Sequence, residues 1–288
     1  MTGAGSGAPG VVGVLGGGRM GAGIAQSFAV AGSRVTVVES GTEAAAAALE
    51  RIAVSLRRAQ ERGHLAGASA DEVLARISAA AGPEGLARDT ELVVEAVPED
   101  AGLKAGLLTR VEAVVGDSAV LATNTSSLSV TDLAAVLRRP ERFLGMHFFN
   151  PVPASALIEI VVAPESTDAV VRLALGWTAA LGKRDVVVKD SPGFASSRLG
   201  LALGLEAIRM VEEGVASAEA IDDAMCLGYR HPVGPLRLTD MVGLDVRLAI
   251  AEYLQVTLGE RFAPPGLLRE MVGRGELGRK SGRGFYEW

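Results

Sequence analysis

The stretch Val11-Val12-Gly13-Val14-Leu15-Gly16-Gly17-Gly18-Arg19-Met20-Gly21 carries the fold assignment. Val11 to Leu15 is a short apolar run that reads as a strand, three glycines break it, and Met20 to Ala31 has helical spacing. Arg34 to Glu39 is β-branched again, which completes one βαβ unit. Gly16, Gly18 and Gly21 satisfy G-x-G-x-x-G where the strand passes into the helix. Gly16 allows the tight turn, Gly18 the close approach of backbone to a pyrophosphate, and Gly21 the contact of helix on strand. Met20 lies in the first helical turn, whose N-terminus attracts phosphate charge, and is counted with the cofactor contacts. Glu39 ends the second strand eighteen residues after Gly21, where a carboxylate accepts from ribose hydroxyls and repels a 2′-phosphate. Glycines alone would mean only a tight turn. Strand, loop, helix, strand and acid in one register imply a Rossmann-type dinucleotide site, with NAD favoured over NADP.

The rest of the chain continues the alternation up to about Lys189. Thr42 to Arg62 and Ser69 to Arg76 read as two helices outside the core sheet, the second opened by a Ser69/Glu72 capping pattern. Apolar runs follow at Leu92 to Val97, Ala119 to Ala122, Phe143 to Phe148, Leu157 to Val162 and Val186 to Lys189. Helical stretches near Leu103 to Val115, Val130 to Leu137 and Thr167 to Leu181 separate them. After Asp190-Ser191-Pro192-Gly193 the strand signals stop, and Leu199 to Val211, Ala218 to Leu227 and Leu236 to Leu258 read as helices. The predicted architecture is α/β: a flexible tail over 1–10, a doubly wound Rossmann-type sheet with an inserted helix pair over 11–190, and an all-α C-terminal domain over 191–288.

Composition narrows the function classes. At 288 residues and 49% hydrophobic the chain can bury a core, yet no run approaches the roughly 18 apolar residues of a membrane span, so no membrane partner is expected. Met1 to Gly10 has neither the charged nor the apolar region of a signal peptide, and the lone Cys226 cannot make an internal disulfide; both point to the cytoplasm. Three scattered histidines, His64, His147 and His231, give no zinc spacing, so no metal is expected. Twenty-eight basic against thirty-four acidic residues, a net charge of -6 without a basic run, argue against nucleic acid.

His147 is the candidate general base, in Met146-His147-Phe148-Phe149-Asn150-Pro151, where a strand ends at an Asn-Pro break. Glu159, twelve residues on, lies in the apolar run Leu157 to Val161, where a carboxylate needs a partner. His147 is the economical one: a carboxylate on one imidazole nitrogen fixes the tautomer and leaves the other as a base. Thr123 to Ser127 ends another strand with several hydroxyls, and Ser129 with Asp132 forms a capping pattern behind it. His64, His231 and Cys226 read as surface or packing residues.

Taken together these residues resemble the L-3-hydroxyacyl-CoA dehydrogenases, in particular their bacterial 3-hydroxybutyryl-CoA dehydrogenase branch. The resemblance runs from the glycine loop through Glu95-Ala96-Val97-Pro98-Glu99, Asn124-Thr125-Ser126-Ser127-Leu128 and His147-Phe148-Phe149-Asn150-Pro151-Val152-Pro153. It continues through Asp190-Ser191-Pro192-Gly193-Phe194 and Gly234-Pro235 to Gly282-Arg283-Gly284-Phe285-Tyr286. It implies a catalytic pair of His147 and Glu159, Ser126 and Asn150 on the substrate's oxygen and thioester end, and Glu99 and Lys104 on the nicotinamide side of NAD. It implies CoA contacts at Ser55 and Arg62, the latter replacing a lysine, and a homodimer formed through the C-terminal helices. Ser197 stands where many members carry asparagine, at a substrate-binding position. The implied reaction is oxidation of a short-chain (S)-3-hydroxyacyl-CoA to the 3-ketoacyl-CoA. Two rival readings keep the fold: an NAD-dependent dehydrogenase of a 3-hydroxy or sugar acid without CoA, and a non-catalytic, crystallin-like dimeric scaffold.

Overall fold

The structure, a computed structural model, describes residues 7–65 and 67–288. The first six residues of the expected tail lie outside the described residues, whereas the Gly10 N–H donates to Glu91 Oε1 at 3.0 Å and its carbonyl accepts from the Arg34 N–H. The chain divides into two compact units between Asp190 and Ser191.

The N-terminal unit is built on an eight-stranded sheet of order β3-β2-β1-β4-β5-β6-β7-β8. The strands and helices come in chain order as β1 (Val11–Leu15), α1 (Arg19–Val30), β2 (Arg34–Val38), α2 (Thr42–Glu61), α3 (Ala70–Leu74) and β3 (Ile77–Ala80). Then follow β4 (Leu92–Glu95), α4 (Ala101–Val114), β5 (Val120–Thr123), α5 (Val130–Ala134), β6 (Phe143–Phe148), β7 (Leu157–Val162), α6 (Asp168–Ala180) and β8 (Arg184–Lys189). Strand order reverses between β1 and β4, which opens a crevice at the carboxyl ends of the strands. β4, β5 and β6 are buried along their whole length, which is why they read as unbroken apolar runs. α1 buries Ile24, Ala25, Phe28 and Ala29 against the sheet, with Phe28 edge-on to Phe148 at 6.4 Å. α2 buries Ala45, Ala48, Ile52 and Leu56, a stripe at helical spacing that leaves Ser55 and Arg58 on another face. The Ser69/Glu72 capping box opens α3, with the Glu72 N–H on Ser69 Oγ at 3.1 Å and the Ser69 N–H on Glu72 Oε2 at 2.7 Å.

Two features differ from the sequence reading. β3, a four-residue Ile-Ser-Ala-Ala segment, was not among the expected strands; it becomes a strand by pairing parallel with β2 at the sheet's edge. β7 runs antiparallel to β6, and β8 parallel to β7, so the last two strands oppose the other six.

The C-terminal unit is helical: α7 (Ser196–Glu212), α8 (Ala218–Asp223), α9 (Pro235–Val242), α10 (Leu244–Leu258) and α11 (Gly266–Gly273). The single helix expected over Leu236 to Leu258 is broken at Gly243, whose φ of +107° lies in the region open to glycine. Leu201, Leu205, Ile208, Leu236, Leu244, Leu254, Phe262 and Leu268 form its core. Two buried aspartates fasten the C-terminal segment to it. Asp240 accepts from the Phe285 and Tyr286 N–H groups and from Trp288 Nε1, each at 2.9 Å. Asp222 accepts from the Leu236 and Arg237 N–H groups and from the Tyr286 hydroxyl, each at 2.8 Å, and Arg237 stacks on the Tyr286 ring. Replacement of Asp240 by Ala leaves three donors without their acceptor and is expected to lower stability by about 3 kcal/mol. Urea unfolding of Asp240→Ala beside the unsubstituted protein measures it.

Candidate active site

Glu39 stands at the end of β2 and holds the glycine loop directly: the Gly17 N–H donates to its Oε1 at 2.6 Å and the Ser40 N–H to its Oε2 at 3.3 Å. Gly16 takes a φ of +88° and donates its N–H to the Val38 carbonyl at 2.8 Å. A Cβ on Gly21 would lie 1.7 Å from the Gly16 carbonyl oxygen, so only glycine lets α1 start against the end of β1. A Cβ on Gly18 would meet nothing within 4 Å, so the exposed side of the loop is open to a ligand. α1 begins there with no capping side chain and no acid in its first turn, which includes Met20, so its N–H dipoles keep their attraction for an anion. Arg51 of α2, which sequence reasoning did not single out, donates to the Gly17 carbonyl and adds a positive charge beside the loop. The residues present fit a dinucleotide.

A second polar group lies across the crevice at the ends of β4 and β5. Lys104, on α4 and 1% exposed, donates to Glu95 Oε1 at 2.7 Å and to the Val97 carbonyl at 3.1 Å, and approaches Glu99 Oε2 at 3.2 Å. All three N–H groups of its ammonium therefore end on the protein, and a direct contact to a cofactor would require giving one up. Glu95, fully buried, also accepts from the Thr123 hydroxyl at 2.6 Å. Glu99 is the hub of the next loop: its Oε1 accepts from the Thr125 hydroxyl at 2.6 Å and from the Ser126 N–H at 3.0 Å. The Ser127 hydroxyl and N–H add bonds to the same oxygen at 3.1 and 3.2 Å, and the Ser126 hydroxyl one at 3.4 Å. Partial burial pushes the Glu99 carboxyl up, but the Lys104 charge and the bonds from Thr125 and Ser126 outweigh it and hold it below the usual carboxylate range. Beyond this loop Asp190 accepts from the Thr131 N–H and hydroxyl, each at 2.7 Å, which ties the end of β8 to the start of α5.

The candidate base lies one strand further on. The antiparallel register of β6 and β7 sets His147 opposite Glu159, with His147 Nδ1 2.8 Å from Glu159 Oε2 and the two side chains 8% and 1% exposed. A carboxylate there favours the Nδ1–H tautomer, in which Nε2 carries the lone pair. Asn124 Oδ1 accepts the Phe148 N–H at 2.8 Å and so pins the end of β6 to the loop after β5. Asn150 follows at the exposed strand end, and its peptide bond to Pro151 is cis.

Ser55 and Arg62 line one groove of 720 Å³ in the same unit, together with Pro151 and Pro153. Its cations include two that sequence reasoning missed, Arg58 and Lys183; Lys183 donates to the Val152 and Ser155 carbonyls at 2.7 and 2.5 Å. Arg58 could have been found at helical spacing between Ser55 and Arg62. The Ser55 hydroxyl is tied to Gln26 Oε1 at 2.6 Å. Ser197 belongs to the first turn of α7 in the C-terminal unit.

Residues 11–191 match the 3-hydroxyacyl-CoA dehydrogenase NAD binding domain and residues 193–288 the C-terminal domain of the same enzymes. The chain belongs to the 3-hydroxyacyl-CoA dehydrogenase family. It is 43% identical over 282 residues to a 3-hydroxybutyryl-CoA dehydrogenase of Mycobacterium tuberculosis, covering 96% of this chain and 98% of the relative. Two solved structures are similar throughout. FadB2 of M. tuberculosis superposes with a TM-score of 0.93 at 41% identity, and (S)-3-hydroxybutyryl-CoA dehydrogenase PaaH1 of Ralstonia eutropha with 0.92 at 41%. In both cases 98% of this chain and 99% of the other are covered. Membership makes the N-terminal unit an NAD-binding domain and the protein an oxidoreductase of this family.

The two glycines separate fold from binding. Gly21→Ala, whose methyl would collide with the Gly16 carbonyl, is expected to lower stability by about 2 kcal/mol and to weaken NADH binding. Gly18→Ala, with open space around its Cβ, is expected to hold stability within about 0.5 kcal/mol while still weakening NADH binding. Thermal unfolding and NADH fluorescence titration of both variants check this, and unchanged NADH affinity in Gly18→Ala would place the pyrophosphate elsewhere.

Proposed function

We propose that the protein oxidises a short-chain (S)-3-hydroxyacyl-CoA, 3-hydroxybutyryl-CoA in the first place, to the 3-ketoacyl-CoA with NAD⁺. The observation that carries this reading is the buried His147–Glu159 pair at 2.8 Å, one strand away from the hydroxyl-bearing loop of Ser126. Glu39, Gly16, Gly18, Met20 and Gly21 hold the adenosine and pyrophosphate half of NAD, and Glu99 its nicotinamide side. Lys104 acts through Glu99 and Glu95 as a positioning residue, because its own donors are committed to protein acceptors. Bound NAD⁺ supplies the hydride acceptor.

His147 takes the proton of the substrate's 3-hydroxyl at Nε2. Glu159 stabilises the resulting imidazolium, at little reorganisation cost because the pair is held in place before reaction and shielded from water. Ser126 and Asn150 orient the reacting oxygen and the thioester end. The CoA portion lies along the groove of Ser55, Arg58, Arg62 and Lys183, whose cations suit its phosphates.

The protein acts as a homodimer whose interface is the C-terminal unit. One feature of that unit supports this. It exposes Leu199, Leu227, Tyr229, Met241, Val242, Val246 and Val256, more apolar surface than a solvated helical unit needs. The lone Cys226, which forms no disulfide, suits a cytoplasmic setting.

NADH consumption with acetoacetyl-CoA, beside NADPH and beside free acetoacetate, tests the reading. Turnover of the thioester with NADH alone is the expected result. Turnover of free acetoacetate instead would transfer the assignment to an acid without CoA. His147→Gln is expected to lower kcat/KM by about 100- to 10,000-fold with NADH binding retained, and Glu159→Gln by about 100-fold. Near-normal turnover in His147→Gln would refute its role.

A further inference from the structure

The cluster at the ends of β4 and β5 does more than hold a loop. It brings two carboxylates, Glu95 and Glu99, around one ammonium, Lys104, so the formal charges of the cluster sum to one negative charge in excess. Glu95 and Lys104 are at most 1% exposed, and the Glu99 side chain is 37% exposed, so the surplus charge lies at the opening and not in the interior. The one other charged group on the adjoining turn is Asp100, exposed, whose Oδ1 accepts the Leu103 N–H at 2.7 Å and offsets the positive end of α4.

The sheet fixes where this charge stands relative to a dinucleotide. Glu39 marks the ribose side at β2, the glycine loop lies at β1, and β4 is the next strand across the reversal of strand order. Leu15 at the end of β1 pairs with Glu95 at the end of β4, and strands are about 4.8 Å apart, so the half of a dinucleotide beyond the pyrophosphate meets this cluster. That half carries the redox change: its ring is a cation when oxidised and neutral when reduced. A fixed negative charge therefore attracts one redox form more than the other.

We infer that Glu99, held by the buried Glu95–Lys104 pair, is an electrostatic selector that makes the protein bind the oxidised nicotinamide dinucleotide more tightly, relative to the reduced form, than an uncharged site would. The inference rests on the dinucleotide reading above and adds a function to the cluster: it biases the redox equilibrium on the protein towards the oxidised cofactor. Positioning alone would not discriminate, because a misplaced loop weakens both redox forms together.

Two variants separate charge from position. Glu99→Gln keeps the shape and an acceptor oxygen for Thr125 and Ser126 but removes the charge. Thr125→Val removes the shortest bond to Glu99 and keeps the charge. Dissociation constants for NADH come from fluorescence titration and those for NAD⁺ from competition against it, with thermal unfolding confirming that each variant is folded. Glu99→Gln is expected to raise the ratio Kd(NAD⁺)/Kd(NADH) by about 5-fold or more, and Thr125→Val to leave that ratio unchanged even where both constants rise. An unchanged ratio in Glu99→Gln overturns the inference, as does an equal shift of the ratio in both variants. Absence of saturable binding of either form to the unsubstituted protein would instead reject the dinucleotide reading on which it stands.

Discussion

The bond between His147 and Glu159 depends on β7 running against β6, and the rest of the candidate chemistry depends on that bond. In an antiparallel pair directly opposite side chains share one face of the sheet, and a slip of one residue would carry Glu159 to the other face. Burial of the neighbouring pairs Met146/Ile160 and Phe148/Ile158 opposes such a slip, because it would turn apolar side chains out of the core. A carboxylate that is 1% exposed is tolerable there only because an imidazole is held against it. The apolar core thus sets the geometry of a polar pair it does not touch chemically.

The same logic runs along the whole edge of the sheet. Glu39 ends β2, the glycine loop follows β1, Glu95 ends β4, Thr123 ends β5 and His147 lies near the end of β6. These strands are neighbours in that order, so the groups proposed for ribose, phosphate, nicotinamide and substrate form a row whose spacing is the strand spacing. Each buried carboxylate in the row is matched by partners from neighbouring elements: Glu95 by Lys104 of α4 and Thr123 of β5, Glu159 by His147 of β6. Glu99 extends the pattern, since one of its oxygens gathers the donors of Thr125, Ser126 and Ser127 while the other faces Lys104.

Much of this was legible in the sequence, and the missing parts have physical reasons. The β1–α1–β2 unit was legible because buried parallel strands are continuous apolar runs and Gly21 has no tolerated alternative against the Gly16 carbonyl. β3 was not, because Ile77-Ser78-Ala79-Ala80 has little strand character of its own and is made a strand by its partner β2. The direction of β7 was not legible either, since an apolar run does not encode parallel or antiparallel pairing. In the site, the types of His147 and Glu159 suggested a pair, but the commitment of all three Lys104 donors to Glu95, Glu99 and Val97 is a property of tertiary packing alone. The break at Gly243 was hidden because the apolar spacing of α9 continues into α10 without a proline to mark the turn.

The groove proposed for the larger part of the substrate is built differently from the strand-end row. The groove residues Ser55, Arg58 and Arg62 come from α2 and the turn that ends it, three and four residues apart, which places them on one face. That face belongs to a helix inserted outside the strand-end row, and its buried stripe, Ala45, Ala48, Ile52 and Leu56, points elsewhere. Changing Arg58 or Arg62 therefore alters charge along the groove without disturbing the register of β6 and β7 or the stripe that seats α2. In the proposed reading the strand ends fix which bond is oxidised, while an exposed helix face sets which molecule carries that bond to them, so the two can vary independently.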